Sequence, residues 1–293
     1  MNAQTEIAAW LQQRIQGQAR LRNRLETLLH QDSRLSAAWW FGSYARGNSD
    51  ALSDFDLWLV VDDRHLDQLV AERHRYITQL DRPAMVLEVW GNAPDPGAYL
   101  MANYLIEGGL YQVDWYWQAA HQARLPCDGR VIIDRMGLAP APELVTIDFA
   151  RGSQAYGEHR PDERHVRLSF NTVFFWSMVP IVAKKIARRE LDVANSMLGR
   201  LVPMVNTIAA LLDTPPYEPA APITHENATE SALHQIAALR RISAAMQAIE
   251  PAIAAAGAEV PNAIHAPIYA QIDRIDQMIR LDISLQEIDP NAR

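Results

Sequence analysis

The sequence is poor in cysteine and has no long apolar run. It contains one cysteine, Cys127, among 293 residues, so it can form no internal disulfide and no cysteine cluster for a metal. No uninterrupted apolar stretch reaches the roughly 20 residues that a membrane-spanning helix needs. Residues 1–6 lack the basic start and apolar core of a signal peptide. We therefore expect a cytoplasmic protein with no membrane partner.

Basic residues are also outnumbered. The 27 Lys and Arg residues against 35 Asp and Glu residues give a formal net charge of −8. Binding to a long polyanion depends on neutralising its phosphates with Lys and Arg, so this balance disfavours nucleic acid as a partner. A small neutral or cationic molecule fits better. The 49% apolar content is enough to bury a sizeable core in one large or two ordinary domains.

The most informative stretch runs from residue 37 to residue 61. Its first part, residues 37–41, is apolar, too short for a helix and bounded by Gly42, which predicts a buried strand. Gly42 permits an unusual backbone angle and the close approach of a ligand. Ser43 adds a hydroxyl and an amide where a helix is predicted to begin. This turn suits a phosphate.

Two carboxylates open the second apolar part of this stretch. Asp54 and Asp56 are two residues apart on a predicted strand, so both project from one face of it. Carboxylates placed this way repel each other unless a cation lies between them. Hard oxygen ligands suit Mg²⁺, which usually brings substrate phosphates with it. The pattern therefore predicts a magnesium site.

A Gly-Ser turn followed eleven residues later by Asp-x-Asp resembles the signature of the polymerase-beta-like nucleotidyltransferase superfamily. In its antibiotic-modifying branch, the aminoglycoside and lincosamide nucleotidyltransferases, the turn reads Gly-Ser-x-x-x-Gly, as residues 42–47 do. The resemblance implies transfer of AMP from ATP to a hydroxyl of a small molecule, with release of pyrophosphate. It also implies that Asp54 and Asp56 hold two Mg²⁺ ions, and that Ser43 and Arg46, with Gly42, bind the triphosphate.

A third carboxylate is expected on a neighbouring strand, and two residues compete for its place. Asp114 lies on the polar face of a predicted strand over about residues 110–117, and its Gly-Gly then apolar-Asp-aromatic setting resembles the aminoglycoside 6-adenylyltransferase group. Glu88, on a predicted strand over residues 84–90, resembles the general base of the streptomycin and spectinomycin adenylyltransferases. The role is to complete the metal site or to take the proton from the acceptor hydroxyl. Both residues stay open as candidates.

Periodicity and composition predict an α+β protein with two domains. Together with the resemblance, this implies a nucleotidyltransferase domain with a small mixed β-sheet over residues 1–140, and a helical bundle that binds substrate or nucleotide over residues 141–293. The stretch 136–142 is the best candidate linker. Beyond those already named, the predicted elements are helices over about residues 5–30, 63–80, 161–189, 191–212, 226–255 and 264–285, and a strand over residues 130–134.

Two lysines follow Pro180 in the long helix predicted for residues 161–189. Near a helix C-terminus, Lys184 and Lys185 could simply complement the helix dipole in water. An approximate helical wheel instead places Lys184 among apolar positions, as if it reached something negative. The segment resembles a helix of aminoglycoside and lincosamide nucleotidyltransferases that reads Val-Ala-Lys several residues before Arg-Gly-Glu-Leu, where the Lys contacts the triphosphate. Here Arg189 precedes Glu190 without the glycine.

The acceptor is predicted from charge. Aminoglycosides are polycations that an acidic protein would attract, whereas lincosamides carry one amine and present more apolar surface to aromatic side chains. The acidic excess favours an aminoglycoside, with a lincosamide as the close alternative. Two further alternatives are a nucleotidyltransferase that modifies a protein or RNA, as in toxin-antitoxin systems, and a nucleotide-binding regulator without catalysis. The sequence leaves a homodimer open.

Overall fold

The computed structural model of this protein describes residues 2–141, 163–218 and 228–285. The described residues divide into two compact units. One comprises residues 12–141, and the other comprises residues 2–11 together with 163–218 and 228–285. The chain between the units after residue 141 lies outside the described residues, so the domain boundary at residue 140 stays a prediction.

The helix predicted for residues 5–30 is present as α1, Ala3–Gln31. Over 29 residues it buries a stripe of leucines and isoleucine at helical spacing. Its last four turns cover the sheet of the first unit with Leu21, Leu25 and Leu29, all fully buried. The polar side chains of α1 that reach this unit therefore have fixed positions over the sheet.

The first unit contains a six-stranded mixed sheet, so the predicted α+β class is confirmed at this level. The strands lie in the order β3-β4-β5-β2-β1-β6. Within the described part of the chain, β2 and β5 pair in parallel, and the other strand pairs are antiparallel. The strands are β1 (Leu35–Phe41), β2 (Phe55–Val61), β3 (Met85–Leu87), β4 (Gly97–Ile106), β5 (Gly109–Ala119) and β6 (Arg130–Asp134).

Two strands differ from the prediction: β4 was not predicted, and β3 is shorter than predicted. Nearly every residue of β4 is buried, so the strand lacks the alternation of apolar and polar residues that predicts a half-exposed strand. A tight turn at Glu107 and Gly108, both at positive φ, joins β4 to β5, as expected for a two-residue hairpin. The strand predicted for residues 84–90 ends at Leu87, so Glu88 lies outside it.

The apolar core of this unit lies between one face of the sheet and two helices. The helices are α1 and α3 (Leu66–Ile77), the second of which follows a short 3-10 turn. Tyr76 of α3 makes edge contacts with Trp115 and Trp117 of β5, with ring centroids 6.0 and 6.2 Å apart. Side chains at odd positions of β5 therefore face the helices, and those at even positions face the opposite side.

The second unit is a helical bundle, as predicted for the C-terminal region. Its central helix, α4 (Arg164–Ala187), contacts all three of the others. The other three are α5 (Leu191–Leu211), α6 (Ala228–Ala255) and α7 (His265–Arg280). By length and composition α4 could cross a membrane, but 56% of its apolar window is buried inside the protein. Such burial is typical of the core helix of a bundle, and cytoplasmic residence stays a prediction.

A buried polar cluster joins three helices of this bundle. Glu250 of α6 accepts a hydrogen bond of 2.7 Å from the indole nitrogen of Trp176 on α4. One of its carboxylate oxygens lies 3.0 Å from Nε2 of His265 on α7, whose ring packs 4.4 Å from that of Trp176. Burial raises the pKa of Glu250 to about 7 and lowers the pKa of His265. Neutral forms of both side chains are therefore favoured in the folded protein.

We predict that Glu250→Gln stabilises the protein above pH 7 and changes little at pH 5. A carboxyl group whose pKa is raised from 4.5 to about 7 contributes stability below pH 4.5 that is lost as the pH rises through 7. The neutral amide avoids this loss, which is on the order of 2 kcal/mol. Thermal unfolding of both proteins at pH 5 and pH 8 tests this, with the exposed Glu259→Gln as the control. Equal shifts for the two variants at pH 8 would contradict the prediction.

Candidate functional site

The pairing of β2 with β5 brings together carboxylates that are far apart in the sequence. Asp56 of β2 and Asp114 of β5 are register partners in this parallel pair. Register partners of adjacent strands project from the same face, so both carboxylates lie on the face away from the helices. Asp54 lies immediately before β2, two residues from Asp56. The structure thus places two of the three predicted metal ligands, Asp56 and Asp114, on neighbouring strands, with Asp54 immediately before one of them.

The Gly-Ser turn lies directly against one of these carboxylates. Gly42 directly follows Phe41, the last residue of β1. Phe41 is the register partner of Asp56, because β1 pairs with β2 along the edge opposite to β5. The backbone of Gly42 has φ +67°, and a Cβ atom there would lie 2.0 Å from Oδ2 of Asp56. Ser43 is the next residue of the short helix α2 (Gly42–Ala45), and its carbonyl accepts a hydrogen bond from the backbone of Asn48. Only glycine allows the turn to approach the carboxylate this closely.

Asp114 is held at both of its carboxylate oxygens. It is 6% exposed, and its Oδ1 accepts a hydrogen bond from the hydroxyl of Tyr99 on β4. Its Oδ2 accepts a hydrogen bond of 2.7 Å from Nε2 of Gln112, two residues earlier on β5. Burial and the negative charge of Asp114 raise the pKa of Tyr99 well above its usual value, so the phenol stays protonated and keeps donating.

A row of aromatic side chains crosses the sheet two residues along from these carboxylates. Trp39, Trp58, Tyr116 and Tyr99 are successive register partners on β1, β2, β5 and β4. The rings of Trp58 and Tyr116 stack at 4.8 Å, and that of Tyr99 lies 4.7 Å from Tyr116. All four are buried. The row forms an apolar wall on the sheet face that carries Asp56 and Asp114. It was not predicted from the sequence, because its four members come from four separate segments.

Arg14 of α1 is a second feature that the sequence analysis missed. Its side chain is 5% exposed, and its Nε donates a hydrogen bond of 2.8 Å to the carbonyl of Ala51. Both terminal nitrogens donate to the carbonyl of Leu110, at 3.2 and 3.1 Å. Burial lowers the pKa of Arg14, against the opposing charges of Tyr111 and Asp54. This buried cation joins the loop before Asp54 to the start of β5.

The loop that leads into β2 is further held by its own polar groups and by α1. The carboxylate of Asp50 accepts a hydrogen bond of 2.8 Å from the backbone of Leu52, forming an Asx turn. Nε2 of Gln18 on α1 donates to the carbonyls of Asp50 and Ser53, both at 3.0 Å. The backbone just before Asp54 is therefore anchored on α1 at two points.

Glu88, the competitor of Asp114, lies elsewhere. Leu87 is the partner of Met101, which is the partner of Asp114, so these three residues share a face. The next residue, Glu88, is directed to the opposite side, where its Oε1 lies 2.6 Å from a guanidinium nitrogen of Arg73 on α3.

The charge state of Glu88 also differs from that expected of a proton acceptor. Burial alone would raise the pKa of Glu88, but a hydrogen bond from His74 and the charge of Arg73 outweigh it, so the pKa is lowered. A carboxylate with a lowered pKa and an ion-pair partner is a weak general base. The structure therefore separates the two candidates by position and by environment.

The remaining predicted residues lie on the surface or in the other unit. Arg46 follows α2; its side chain is half exposed and lies 3.5 Å from a carboxylate oxygen of Asp128. Lys184 belongs to α4 of the helical unit and is 4% exposed, so it is not a solvated surface lysine. Lys185 is the more exposed of the two lysines and pairs with Glu190 at 2.6 Å. The triphosphate contact predicted for Lys184 stays a prediction.

The end of α4 has the geometry that normally calls for glycine. The backbone of Glu190 donates to the carbonyl of Lys185 and that of Arg189 to the carbonyl of Ile186, both at 3.0 Å, which is a Schellman motif. Arg189 occupies its left-handed position, with φ 59°. This is the position at which the resembled helix carries glycine, so the missing glycine has not removed the turn.

The carboxylates form a donor set that suits a magnesium ion arriving with a phosphate. Among the described residues, no group of three or more His, Cys, Asp or Glu side chains is arranged to hold a metal as it stands. Mg²⁺ is commonly bound by one or two carboxylates, with substrate phosphates and water completing the shell. Asp54 and Asp56 supply such a pair, and Asp114 lies in register beside it. The chemistry of the Asp54 and Asp56 pair therefore fits Mg²⁺, and the role of Asp114 as a third ligand stays a prediction.

A comparison with protein-family models finds none that matches the chain, and a comparison with curated proteins finds no match either. The resemblance to nucleotidyltransferases therefore stays a prediction based on residues 42–56, and the structure adds only the setting of these residues in the sheet. That setting comprises a glycine turn against Asp56 and a further carboxylate, Asp114, on the adjacent strand.

We predict that Gly42→Ala destabilises the protein more than Gly47→Ala does. Both glycines have positive φ, so each substitution strains the backbone by about 1–2 kcal/mol. Only at Gly42 does the added methyl group also meet Asp56, whereas nothing lies within 4 Å at Gly47. Crowding of this kind costs about 1–3 kcal/mol more. Urea unfolding measures both free energies, and equal losses would contradict the close approach.

Proposed function

We propose that this protein is a Mg²⁺-dependent nucleotidyltransferase that transfers AMP from ATP to a hydroxyl of a small molecule and releases pyrophosphate. One observation carries the proposal: the turn at Gly42 lies against Asp56, and Asp56 is in register with Asp114 on the adjacent strand. A phosphate-type turn and carboxylates from separate segments thereby share one face of the sheet. This combination suits the transfer of a nucleotidyl group from one oxygen to another.

Each residue has a distinct part in the proposed reaction. Asp54 and Asp56 would hold the metal, which when bound neutralises phosphate charge and makes the α-phosphorus more electrophilic. Ser43 and Arg46 bind the triphosphate. The acceptor hydroxyl oxygen forms a bond to the α-phosphorus, the bond to the β-phosphate oxygen breaks, and pyrophosphate leaves. Asp114 accepts the proton of the hydroxyl or completes the ligand set.

Asp114 is favoured over Glu88 as the third carboxylate. It shares a face with Asp56, and two neutral donors orient it. Glu88 projects to the helix side and is neutralised by Arg73. The likeness to the streptomycin and spectinomycin enzymes, which depended on Glu88, loses weight accordingly.

The proposed acceptor is an aminoglycoside, because the net charge of −8 attracts polycations. The alternative, a lincosamide, would need exposed aromatic side chains to pack against its apolar surface. Trp115, Trp117 and Trp176 are fully buried, so they belong to the cores of their units and offer no surface to a ligand. Trp90 is 37% exposed, but one face of its ring is covered by the guanidinium of Arg73.

We predict ATP-dependent adenylylation of an aminoglycoside by the purified protein. Incubation with Mg²⁺, ATP and single aminoglycosides or lincosamides, followed by mass spectrometry, should show the mass of one added AMP on a polycation and release of pyrophosphate. The yield should fall as salt rises, because screening weakens attraction of a polycation. Modification of lincosamides alone, indifferent to salt, would overturn the acceptor. If the protein binds ATP but releases no pyrophosphate with any acceptor, the alternative of a nucleotide-binding regulator without catalysis is favoured. If it adenylylates a protein or RNA instead, the alternative of a toxin-antitoxin nucleotidyltransferase is favoured.

The negative controls for this assay are Asp54→Asn and Asp56→Asn. Each removes one charged ligand of the proposed metal pair, so turnover should fall by roughly 1,000-fold or more. Both variants should remain folded in thermal melts, because the substitution relieves repulsion between neighbouring carboxylates. Substantial activity in either variant would defeat the metal assignment.

We predict that Asp114→Asn lowers kcat far more than Glu88→Gln. Asp114 acts on the reacting groups in the proposed mechanism, whereas Glu88 holds Arg73 on the other side of the sheet. Steady-state kinetics with ATP and the identified acceptor would measure both variants. Glu88→Gln is expected to lower the thermal midpoint while leaving kcat within about threefold of the original protein. The reverse ranking of kcat values would transfer the role to Glu88.

A further inference from the structure

The hydroxyl of Tyr99 is placed to fix the orientation of the Asp114 carboxylate. Tyr99 is 3% exposed, and its hydroxyl donates to Oδ1 of Asp114 across the β4 and β5 pair. The other oxygen of Asp114 accepts from Gln112. The final torsion of an aspartate side chain has a broad minimum, so packing alone sets the orientation of a carboxylate poorly. Donors on both oxygens remove that freedom.

Tyr99 is itself fixed by its neighbours. Its ring lies 4.7 Å from that of Tyr116, which stacks on Trp58, and both partners are buried. The backbone of Tyr99 pairs with Tyr116 in the regular antiparallel ladder of β4 and β5. The position of the phenol oxygen therefore follows from packing and strand register, which is the support that a well-positioned functional group needs.

Tyr104, on the same strand, provides a comparison because its hydroxyl donates to the backbone in the core. Tyr104 of β4 is fully buried, and its hydroxyl donates to the carbonyl of Ile77 at the end of α3, at 3.1 Å. Its ring belongs to the core between the sheet and the helices, on the face opposite Asp114. The two tyrosines thus lie on the same strand, are both buried, and each donate a hydrogen bond from the hydroxyl. They differ in the acceptor, which is a backbone carbonyl for Tyr104 and a candidate catalytic carboxylate for Tyr99.

We propose that Tyr99 is a positioning residue for Asp114: it holds Oδ1, with Gln112 on Oδ2, so that the carboxylate keeps one orientation toward the reacting groups. This inference rests on the proposed function for its effect on turnover. Misplacement of a reacting group by about 1 Å can cost about 100-fold in rate. Loss of one of two orienting donors should accordingly cost less than loss of Asp114 itself.

The test compares Tyr99→Phe with its matched control Tyr104→Phe. Both substitutions remove one buried hydroxyl and its hydrogen bond from β4, so both should lower the midpoint of thermal unfolding. Only Tyr99→Phe should lower kcat, by roughly 10- to 100-fold, with the KM for ATP changed less than about threefold. Equal kcat values for the two variants would overturn the inference while leaving the proposed function standing.

Two further measurements separate positioning from a general structural effect. In an Asp114→Asn background, Tyr99→Phe should cause no further loss of kcat, because the hydroxyl acts through Asp114, whereas independent effects would multiply. Crystal structures of the original protein and of Tyr99→Phe should differ in the carboxylate torsion of Asp114. If the original protein transfers no AMP, the proposed function fails, and the torsion still tests the inference. An unchanged torsion would overturn it.

Discussion

The parallel pairing of β2 with β5 is the constraint on which the candidate site depends. Among the described strands these two form the one parallel pair, and their register puts Asp56 beside Asp114. A slip of one residue would carry Asp114 to the helix side, into the core. Several contacts oppose such a slip. Arg14 bonds the loop before β2 and the start of β5, and the aromatic row stacks in register across four strands.

Carboxylates on a largely buried sheet face cost free energy unless donors or cations compensate them. The compensation here differs for each residue. Asp114 accepts hydrogen bonds from Tyr99 and Gln112, whereas Asp54 lies in the field of the Arg14 guanidinium. These neighbouring groups compensate the carboxylates and orient Asp114 before any ligand binds. Preorganised charge of this kind is what a site for a metal and a triphosphate needs, because it avoids reorganisation during the reaction.

The sequence predicted the features that depend on residues close together in the chain. The apolar run before Gly42, the spacing of Asp54 and Asp56, and the helices of the C-terminal unit follow from period, length and turn residues, and the structure has them. β4 was not predicted, because both of its faces are buried and its sequence therefore does not alternate between apolar and polar residues. The choice between Asp114 and Glu88 stayed open for a related reason. The face of Glu88 depends on the register of β3 with β4 and of β4 with β5, and no single segment records it.

The sequence by itself determined that the chain folds into an α+β region followed by helices, that a glycine turn precedes two carboxylates, and that the protein is acidic. These properties follow from residue type and spacing along a few turns or one strand. The tertiary structure decided which residues meet: the contact of Gly42 with Asp56, the pairing of Asp56 with Asp114, and the donors Tyr99 and Arg14. Strand pairing and side-chain packing act between residues that are distant in the chain, so only the folded protein defines them.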